Sequence, residues 1–559
     1  MDNERSASDP NKPRLAWRVI TVTLALLAIV QIARHYTAVV VRDDLYAGDA
    51  AQHTWWLYRV ADPDLFPNDL IARYMSLPVF SPPAYQAIFR LGFDPQRTCE
   101  SLAIMLAVTS LFLAWRLGHR IGGAPGGAGA IGVFILFALD RYCEGGFPRS
   151  FGLPLLLAGM LAIMGRRWIG VGAVFLLCAL FYPPMVLNLA PVAGVVFLFG
   201  FFVRPASATS LGEPVERPWK SYAAFVLLSL IAVGIIGAFY LKPMPLEIGP
   251  WFTYAEAKQM PEWSASGRTA FFRAAKVFWY HSSTAGIGLR REYVAGALIL
   301  LGLSIAFLPR SIRPEAALLL LFALMTWALA HLMLFTLYLP SRYTSYALPV
   351  FGVMWGAGVT GIIANTWCAR WKVRAPCVVT ASACAIALLI VSVRASSDIR
   401  ESLLSPPNWN PPVGFEDALR VIATLPKDAL IASHPDDANT IPLRARRSVL
   451  VNTEVSVAFN RVYYAEMRER LTASFAMLHG IDWTKIDMIA DQYGVDYFVL
   501  NRARLTRPTP YFEPFETINR QMCELGRAKG WAMLAPAEHR VVYSGGDVMI
   551  LRVGKAGQP

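Results

Sequence analysis

An acid and several hydrogen-bonding groups lie close together in the segment "GDAAQHTWWLYR", which follows the first long apolar run. In a helix over 48–60, Asp49 and His53 lie four residues apart and share a face, with Gln52 beside them. A carboxylate placed this way can take a proton from an attacking hydroxyl group while its neighbours orient it. The alternative is an interfacial amphipathic helix, in which Asp49 caps the N-terminus and the aromatic residues of "TWWLY" face lipid headgroups.

The rest of the chain has the composition of a polytopic membrane protein. Of its 559 residues, 55% are hydrophobic and only 16% are charged, and a water-soluble enzyme of this length is more polar. Several apolar runs approach the roughly 20 residues needed to cross a bilayer. Gly and Pro interrupt some of them, and in the alternative interpretation one or two of these runs are re-entrant or fused, which lowers the number of spans. The eleven predicted spans are 17–39, 101–117, 123–139, 151–165, 168–181, 185–203, 221–241, 294–309, 316–339, 345–366 and 377–394.

The distribution of Lys and Arg predicts the orientation in the membrane. With a cytoplasmic N-terminus, the inner segments collect most of the cations and the short outer connections hold few. Three large parts then lie outside, namely residues 40–98, 242–293 and 395–559. The net charge of +13 is explained by topology and by attraction to anionic headgroups, so the lipid bilayer is the expected partner and nucleic acid is not.

The last part of the chain is predicted to be a separate domain. Residues 1–394 form the transmembrane part, and 395–559, where apolar runs shorten, form a soluble α/β domain. Its charged segment "HPDDANTIPLRARR" is interpreted as a solvated loop, with contact to an acceptor as the alternative. Helices are predicted at 414–426 and 485–494, strands at 429–435, 447–454 and 495–502, and a final hairpin at 540–553.

This arrangement resembles the GT-C superfamily of integral-membrane glycosyltransferases, which includes oligosaccharyltransferase catalytic subunits, protein mannosyltransferases and aminoarabinose transferases. In that superfamily the first helix leads to a long outer loop that begins with an essential acid, and many members end in a soluble outer domain. The resemblance covers the whole chain in architecture. It implies a bacterial inner-membrane enzyme with a periplasmic C-terminal domain, which transfers a sugar from a polyprenyl-phosphate or pyrophosphate donor to a glycan, lipid or protein acceptor.

The resemblance also assigns roles in the first outer loop. Asp49 matches the acid that activates the acceptor, His53 the downstream partner and Arg59 the arginine further along the helix, while Gln52 orients the acid or the sugar. The tandem acids Asp43 and Asp44 are the competing candidates for the base.

A second acidic site is expected in the next outer loop, "DRYCEGGFPRSFGLP". It offers Asp140 and Glu144, and oligosaccharyltransferases hold a divalent metal through a close acidic pair in this loop. Because these acids are four residues apart and lack DxD-like spacing, metal dependence stays open, and a short polar connection with a "GG" turn is the alternative. The WWDYG segment of oligosaccharyltransferases is absent, which argues against asparagine-linked transfer.

Cations are needed to stabilise the departing phosphate. Arg149 and Arg342 are the preferred pair, because each lies where the chain emerges on the outer side, and His281 is a possible hydrogen-bond donor. An arginine snorkelling to ordinary headgroups is the alternative for Arg342. The candidate cations on the outer side are Arg149, Arg268, Arg273, Arg290, Arg291 and Arg342.

Two other classes of function remain as rivals. A transporter or flippase for a lipid-linked saccharide would show inverted repeats and charges near the bilayer midplane, and no repeat is recognisable. A noncatalytic envelope-assembly protein would use its C-terminal domain as a recruiting surface. His331, inside the ninth predicted span, is interpreted as a helix-packing histidine.

Overall fold

The computed structural model describes residues 12–41, 49–137, 144–202, 218–288, 298, 300–302, 308–371, 413–506 and 510–557. Within these residues, an apolar helical part is followed by a part that contains a β-sheet. The longer helices of the apolar part are Lys12–Val41, Pro95–Phe137, Gly152–Met164, Trp168–Phe181, Pro184–Phe202, Pro218–Tyr240, Pro314–Leu332 and Ser341–Trp371.

Membrane-spanning character is clear in part of this set. Among the described residues, four helices have the length and composition to cross a bilayer, and four further apolar helices are shorter. Predicted span 377–394 and most of 294–309 lie outside the described residues, so the count of eleven stays a prediction. The four long helices are Pro95–Leu136, Trp219–Tyr240, Pro314–Leu332 and Ser341–Thr366.

The helix Pro95–Phe137 reverses direction at two glycines. Gly122 (φ −130°, ψ 18°) and Gly123 (φ 66°, ψ −154°) leave helical geometry. A Cβ atom added to Gly118 would lie 2.5 Å from the carbonyl oxygen of Gly126, a distance that a continuous helix does not allow between residues eight apart. The two arms of this hairpin correspond to the separately predicted spans 101–117 and 123–139.

Small residues bring the helix Ser341–Trp371 against this hairpin. A Cβ on Gly122 would lie 2.5 Å from the carbonyl oxygen of Ala357, and one on Gly129 would collide with the side chain of Thr360. Glycine at these positions therefore lets the helical backbones approach closely, as is common in membrane-spanning bundles.

Shorter helical segments build the connections between the apolar helices. In one of them, the Asp69 carboxylate caps the helix Leu70–Met75 by accepting hydrogen bonds from the backbone N–H groups of Ile71 and Ala72, the turn-forming role that aspartate commonly takes. The segments are Ala50–His53, Trp55–Leu57, Tyr58–Ala61, Leu70–Met75, Pro83–Phe89, Glu144–Gly146, Pro148–Phe151, Tyr254–Gln259, Pro261–Trp263, Val277–His281 and Leu308–Ser311.

The C-terminal part contains a five-stranded mixed sheet, which confirms the predicted combination of helices and strands. The strand order is β2-β1-β3-β5-β4; β1 is parallel to β2 and β3, whereas β5 is antiparallel to β3 and β4. The predicted domain boundary at 394/395 lies outside the described residues. The strands are β1 Leu430–Ser433, β2 Ser448–Val449, β3 Tyr497–Asn501, β4 Val541–Gly545 and β5 Val548–Arg552.

Helices surround this sheet, and two long ones, Arg461–Leu478 and Phe515–Lys529, are absent from the sequence-based prediction. Both predicted helices form, as Phe415–Thr424 and Trp483–Tyr493. The remaining helical segments are Pro435–Ala438, Ile441–Ala445, Arg502–Thr506, Ala532–Leu534, Glu538–Arg540 and Gly554–Gly557.

The C-terminal part packs directly on the long loops of the apolar part. Asn460 accepts a hydrogen bond from the Tyr74 hydroxyl at 3.0 Å and donates one to the Gly249 carbonyl at 3.1 Å. The rings of Tyr74 and Tyr463 stack at 3.7 Å between centroids. At the edge of this interface, the Lys427 ammonium lies 2.7 Å from the Asp62 carboxylate. Both long loops are thus held by the sheet-containing part.

This packing corrects one expectation for the first loop. Trp55, Trp56 and Tyr58 do not face a headgroup layer but are buried. The Trp55 ring packs edge-on against Phe66, and the Arg446 guanidinium lies 4.2 Å from the centre of the Tyr58 ring. The aromatic residues of "TWWLY" therefore form the core of an interface between two parts of the chain.

Substitution of Gly126 tests the helical hairpin. In Gly126→Ala, the added methyl group would meet the Gly118 carbonyl oxygen at 2.5 Å and the Ala357 carbonyl oxygen at 3.1 Å, so the backbones must separate. We expect a loss of about 1–3 kcal/mol of stability, measured as a lower thermal unfolding midpoint of the full-length protein in detergent.

The control is Gly194→Ala in the helix Pro184–Phe202, where an added Cβ meets no atom within 4 Å. This change should leave the midpoint unchanged or raise it, because alanine favours helix over glycine by up to about 1 kcal/mol. Equal effects of the two substitutions would contradict the close packing at Gly126.

Candidate functional site

Asp49 lies at the start of the short helix Ala50–His53. Its carbonyl oxygen accepts hydrogen bonds from the backbone N–H groups of Gln52 at 3.1 Å and His53 at 3.0 Å. The second of these is an α-helical bond, so Asp49 and His53 lie on one face of the turn as the spacing predicts. The acid and the imidazole are therefore neighbours in space.

The next connection brings an arginine to this acid. Gly145 and Gly146 both have positive φ (72° and 60°), and a Cβ on Gly146 would lie 2.0 Å from the Cys99 carbonyl oxygen. This tight turn requires glycine. It leads into the segment Pro148–Phe151, from which the Arg149 guanidinium forms an ion pair with the Asp49 carboxylate.

Phe147 supports the same arrangement from the side. Its ring lies 5.3 Å from the His53 ring and 5.8 Å from the Arg149 guanidinium carbon. Asp49 and Arg149 keep 33% and 26% of their side-chain surface exposed. The pair is therefore recessed between two connections but still open to a ligand.

A second arginine acts on this pair from the helix Ser341–Trp371. The Ser341 backbone N–H donates to the Thr284 carbonyl at 3.1 Å, which fixes the start of the helix. Arg342 follows, close to Tyr182, Tyr338 and Arg149. Its positive charge reaches both Asp49 and His53.

Charge interactions set the protonation states of the cluster. Burial by itself would raise the pKa of Asp49, but the charges of Arg149 and Arg342 outweigh it, so its pKa falls below the usual value. Burial, together with Arg149 and Arg342, lowers the pKa of His53 to about 4, although Asp49 opposes this change. At neutral pH, Asp49 is therefore ionised and His53 is neutral, with one ring nitrogen able to donate and the other to accept.

The C-terminal part contributes another carboxylate to this neighbourhood. Glu454 forms an ion pair with Arg268 at 3.1 Å, and the Arg268 Nε–H also donates to the Thr453 carbonyl at 2.8 Å. Burial raises the pKa of Glu454; Arg268 lowers it, and the charge of Asp49 raises it further. Glu454 is therefore near Asp49, although 405 positions separate them in the sequence.

Glu454 is not among the site residues predicted from the sequence, whereas Arg268 is a candidate cation there. The position of Glu454 in the sequence could have indicated a site residue, because Glu454 follows the strand β2, which is parallel to β1. Ligands commonly bind outside the carboxyl ends of parallel strands. The predicted strand at 447–454 ran through the acid, whereas the observed strand ends at Val449.

The charged segment after β1 does not form the solvated loop that was expected. His434 and Asp437 are each only 2% exposed. The Asp437 carboxylate pairs with the Arg504 guanidinium at 2.8 Å and accepts a hydrogen bond from the Asn501 amide at 3.2 Å. These side chains are part of the core at the carboxyl end of the parallel strands, which corrects the prediction.

The other predicted site residues have separate positions. Arg59 donates to the Pro67 carbonyl at 3.5 Å, which bridges the turn of the first loop. His281 ends the segment Val277–His281, and the Gln52 backbone lies beside Asp49. Their predicted roles toward a substrate stay predictions. His331 has the packing role expected of it: its ring lies 4.8 Å from that of Trp327 in the same helix, and its Nε2 lies 2.9 Å from the Ala285 carbonyl oxygen.

The second acidic site stays a prediction. Asp140 lies outside the described residues, as do Asp43 and Asp44, and the described part of Glu144 is its backbone in Glu144–Gly146. Among the described side chains, no group of three His, Cys, Asp or Glu residues is arranged to hold a metal ion.

Comparison with solved structures places this architecture beside two membrane proteins. Archaeoglobus fulgidus oligosaccharyltransferase in its apo form matches with a TM-score of 0.49 and 11% identity over 88% of this chain and 70% of that one. ArnT from Cupriavidus metallidurans bound to undecaprenyl phosphate matches with a TM-score of 0.45 and 12% identity over 97% and 99%.

The likeness concerns overall architecture. At this identity and these TM-scores it assigns no substrate and no role to any residue. The oligosaccharyltransferase has also been solved with an inhibitory peptide and a dolichol-phosphate (12% identity, TM-score 0.46, covering 89% of this chain and 70% of that one). No protein-family model and no curated relative matches the sequence.

The pKa of His53 provides a test of the site. In ¹⁵N-histidine NMR spectra of the full-length protein, with the His53 signal identified by its loss in His53→Gln, we expect a pKa of about 4. Because the Arg149 charge disfavours the imidazolium form, Arg149→Met should raise this pKa toward the ordinary value near 6.5.

Arg59→Met serves as the control, since Arg59 contacts Pro67 across the turn of the loop. It should leave the His53 titration unchanged. A wild-type His53 that titrates near 6.5 would show that the imidazole is solvated and outside the influence of Arg149.

Proposed function

We propose that this protein is a glycosyltransferase of the bacterial inner membrane, which moves a sugar from a polyprenyl-phosphate or pyrophosphate donor to an acceptor on the outer face. The observation that supports this proposal is the recessed ion pair of Asp49 and Arg149 beside Arg342. In this proposal the N-terminus is cytoplasmic and the C-terminal domain periplasmic, so that the cluster lies at the outer surface of the inner membrane.

Arg149 and Arg342 bind the donor phosphate in this proposal. A guanidinium presents several N–H donors in a fixed plane, which suits bidentate binding of phosphate oxygens. Both arginines lie where their charges converge on Asp49, so a phosphate there replaces Asp49 as the anion of the pair. As the sugar–phosphate bond breaks, the same cations stabilise the charge on the leaving phosphate.

Asp49 takes the acceptor proton. While it is paired with Arg149 its pKa is lowered, and a carboxylate of low pKa is a weak base. When the donor phosphate engages Arg149, the stabilisation of the carboxylate weakens and its pKa rises. The acceptor oxygen then forms a bond to the anomeric carbon, its proton passes to Asp49, and the phosphate leaves with the bonding electrons.

His53 assists as a neutral hydrogen-bonding group. Its lowered pKa of about 4 keeps a third positive charge away from the donor site at neutral pH. A neutral ring can orient the acceptor hydroxyl or a sugar hydroxyl without competing with Arg149 for the phosphate. A single displacement of this kind inverts the configuration at the anomeric carbon.

Replacement of Asp49 tests the base. Mass spectrometry of lipid-linked saccharides and envelope glycans should show donor lipid accumulating and one glycan losing a sugar in deletion cells. Asp49→Asn at matched membrane abundance should fail to restore that sugar, with a rate reduced by about 10²-fold or more, because an amide cannot accept the proton.

Wild-type protein and Asp62→Asn are the controls, since Asp62 pairs with Lys427 at the edge of the domain interface. Both should restore every species. If Asp49→Asn also restores them, Asp49 is not the base, and a deletion that alters no glycan while the protein is expressed in the parent would argue against the transferase.

Binding of the donor phosphate tests Arg149. With undecaprenyl phosphate as the probe and purified full-length protein, we expect Arg149→Met to weaken binding about 10-fold to 100-fold, the value of one or two hydrogen bonds to a charged group. Microscale thermophoresis at constant detergent concentration measures the change.

Arg461→Met is the matched control, because Arg461 pairs with Glu256 through exposed side chains at 2.9 Å. Its affinity for undecaprenyl phosphate should equal that of the wild type. Equal affinities for all three proteins would remove Arg149 from the donor site.

A further inference from the structure

The carboxylate of Glu454 belongs to the C-terminal part and lies near enough to Asp49 for their two charges to interact. The helix Ile441–Ala445 packs against Ala50–His53, the turn that carries His53. The Glu454 backbone N–H donates to the Asn439 side chain at 3.0 Å, just before that helix. The segment that presents Glu454 is therefore fixed against the segment that presents Asp49.

Docking of the two parts does not need the Glu454 carboxylate. Arg268 already holds this segment through the Thr453 carbonyl at 2.8 Å, and the Thr453 hydroxyl lies 2.7 Å from the Asp436 carboxylate and 2.9 Å from the Tyr511 hydroxyl. These contacts fix the backbone of the segment. A carboxylate that remains 28% exposed beside them has surface left for a ligand.

Charges of both signs lie around Asp49 and Glu454. Once Arg149 and Arg342 hold the donor phosphate, that phosphate and the two carboxylates would repel a second anionic group, while Arg268 would repel a cationic one. A neutral group rich in hydroxyls satisfies both kinds of side chain, because each hydroxyl can donate to a carboxylate and accept from a guanidinium. A saccharide fits this pattern better than a peptide amine or a phosphorylated acceptor.

We propose that Glu454, held in place by Arg268, is an acceptor-binding residue of the transfer site and that the acceptor is a saccharide whose hydroxyl groups it binds. This inference rests on the proposed function. It makes the C-terminal part a wall of the acceptor site and leaves the donor phosphate to Arg149 and Arg342.

Kinetics of the full-length protein test this inference. The donor is the lipid-linked saccharide fraction extracted from deletion cells, and the acceptor is delipidated envelope polysaccharide from the same cells. Glu454→Gln should raise the apparent KM for the polysaccharide about tenfold, the value of one hydrogen bond to a charged group, and leave the KM for donor unchanged.

Glu256→Gln is the matched control, because the Glu256–Arg461 pair also joins the second long loop to the C-terminal part. It should change neither KM. The double variant Arg268→Glu with Glu454→Arg restores an ion pair of reversed polarity. This variant lacks the hydrogen bond from Arg268 to the Thr453 carbonyl, so its thermal unfolding midpoint should lie below that of the wild type. If Glu454 binds the acceptor, the variant does not regain the wild-type KM for the polysaccharide.

Three outcomes would overturn the inference while the transferase remains supported. They are an unchanged acceptor KM in Glu454→Gln, full recovery of that KM in the reversed pair, and transfer of the sugar to the protein or lipid fraction instead of polysaccharide. Failure of the wild-type protein to transfer sugar to any of these fractions would instead contradict the proposed function itself.

Discussion

The ion pair between Asp49 and Arg149 is the interaction on which the architecture of the site depends. A carboxylate withdrawn from water is costly unless a cation and hydrogen bonds compensate it. Here the cation is Arg149 of the segment Pro148–Phe151, whereas Asp49 precedes the helix Ala50–His53. The fold must therefore hold these two segments at a closely defined distance. The left-handed turn at Gly145 and Gly146 and the fixed start of the helix Ser341–Trp371 meet that requirement.

The C-terminal part supports the pair from the opposite side. It buries the aromatic residues that follow His53, and it holds both long loops through Asn460. Loops of this length lose conformational entropy when they are fixed, and burial of Trp55 with the stacking of Tyr74 and Tyr463 offsets this loss. The C-terminal part thus contacts both the loop that carries Asp49 and the loop whose Arg268 pairs with Glu454.

Much of this organisation follows from local sequence patterns, and the remainder depends on contacts between distant segments. Apolar runs give most of the described helices, and the spacing of Asp49 and His53 gives their shared face. The burial of Trp55 and the pairing of Arg149 with Asp49 require partners that no local pattern specifies. The helix Arg461–Leu478 was missed for a related reason, since it packs against loops and other helices rather than presenting one apolar stripe. Asp140 lies outside the described residues, so the second acidic site stays a prediction and metal dependence stays open.

The pairing also has a consequence for the timing of the proposed reaction. Each unit by which Arg149 lowers the pKa of Asp49 weakens the base by about 1.4 kcal/mol in its affinity for a proton. In the proposed reaction, a donor phosphate that binds the Arg149 guanidinium raises the proton affinity of the Asp49 carboxylate again, at the point when the sugar is bound. Without the donor, a bound acceptor would face Asp49 in its weakly basic state. Without the acceptor, a bound donor would have no hydroxyl group at Glu454 to react with. In the proposed reaction, the same ion pair that compensates the withdrawn carboxylate in the fold links donor binding to proton transfer.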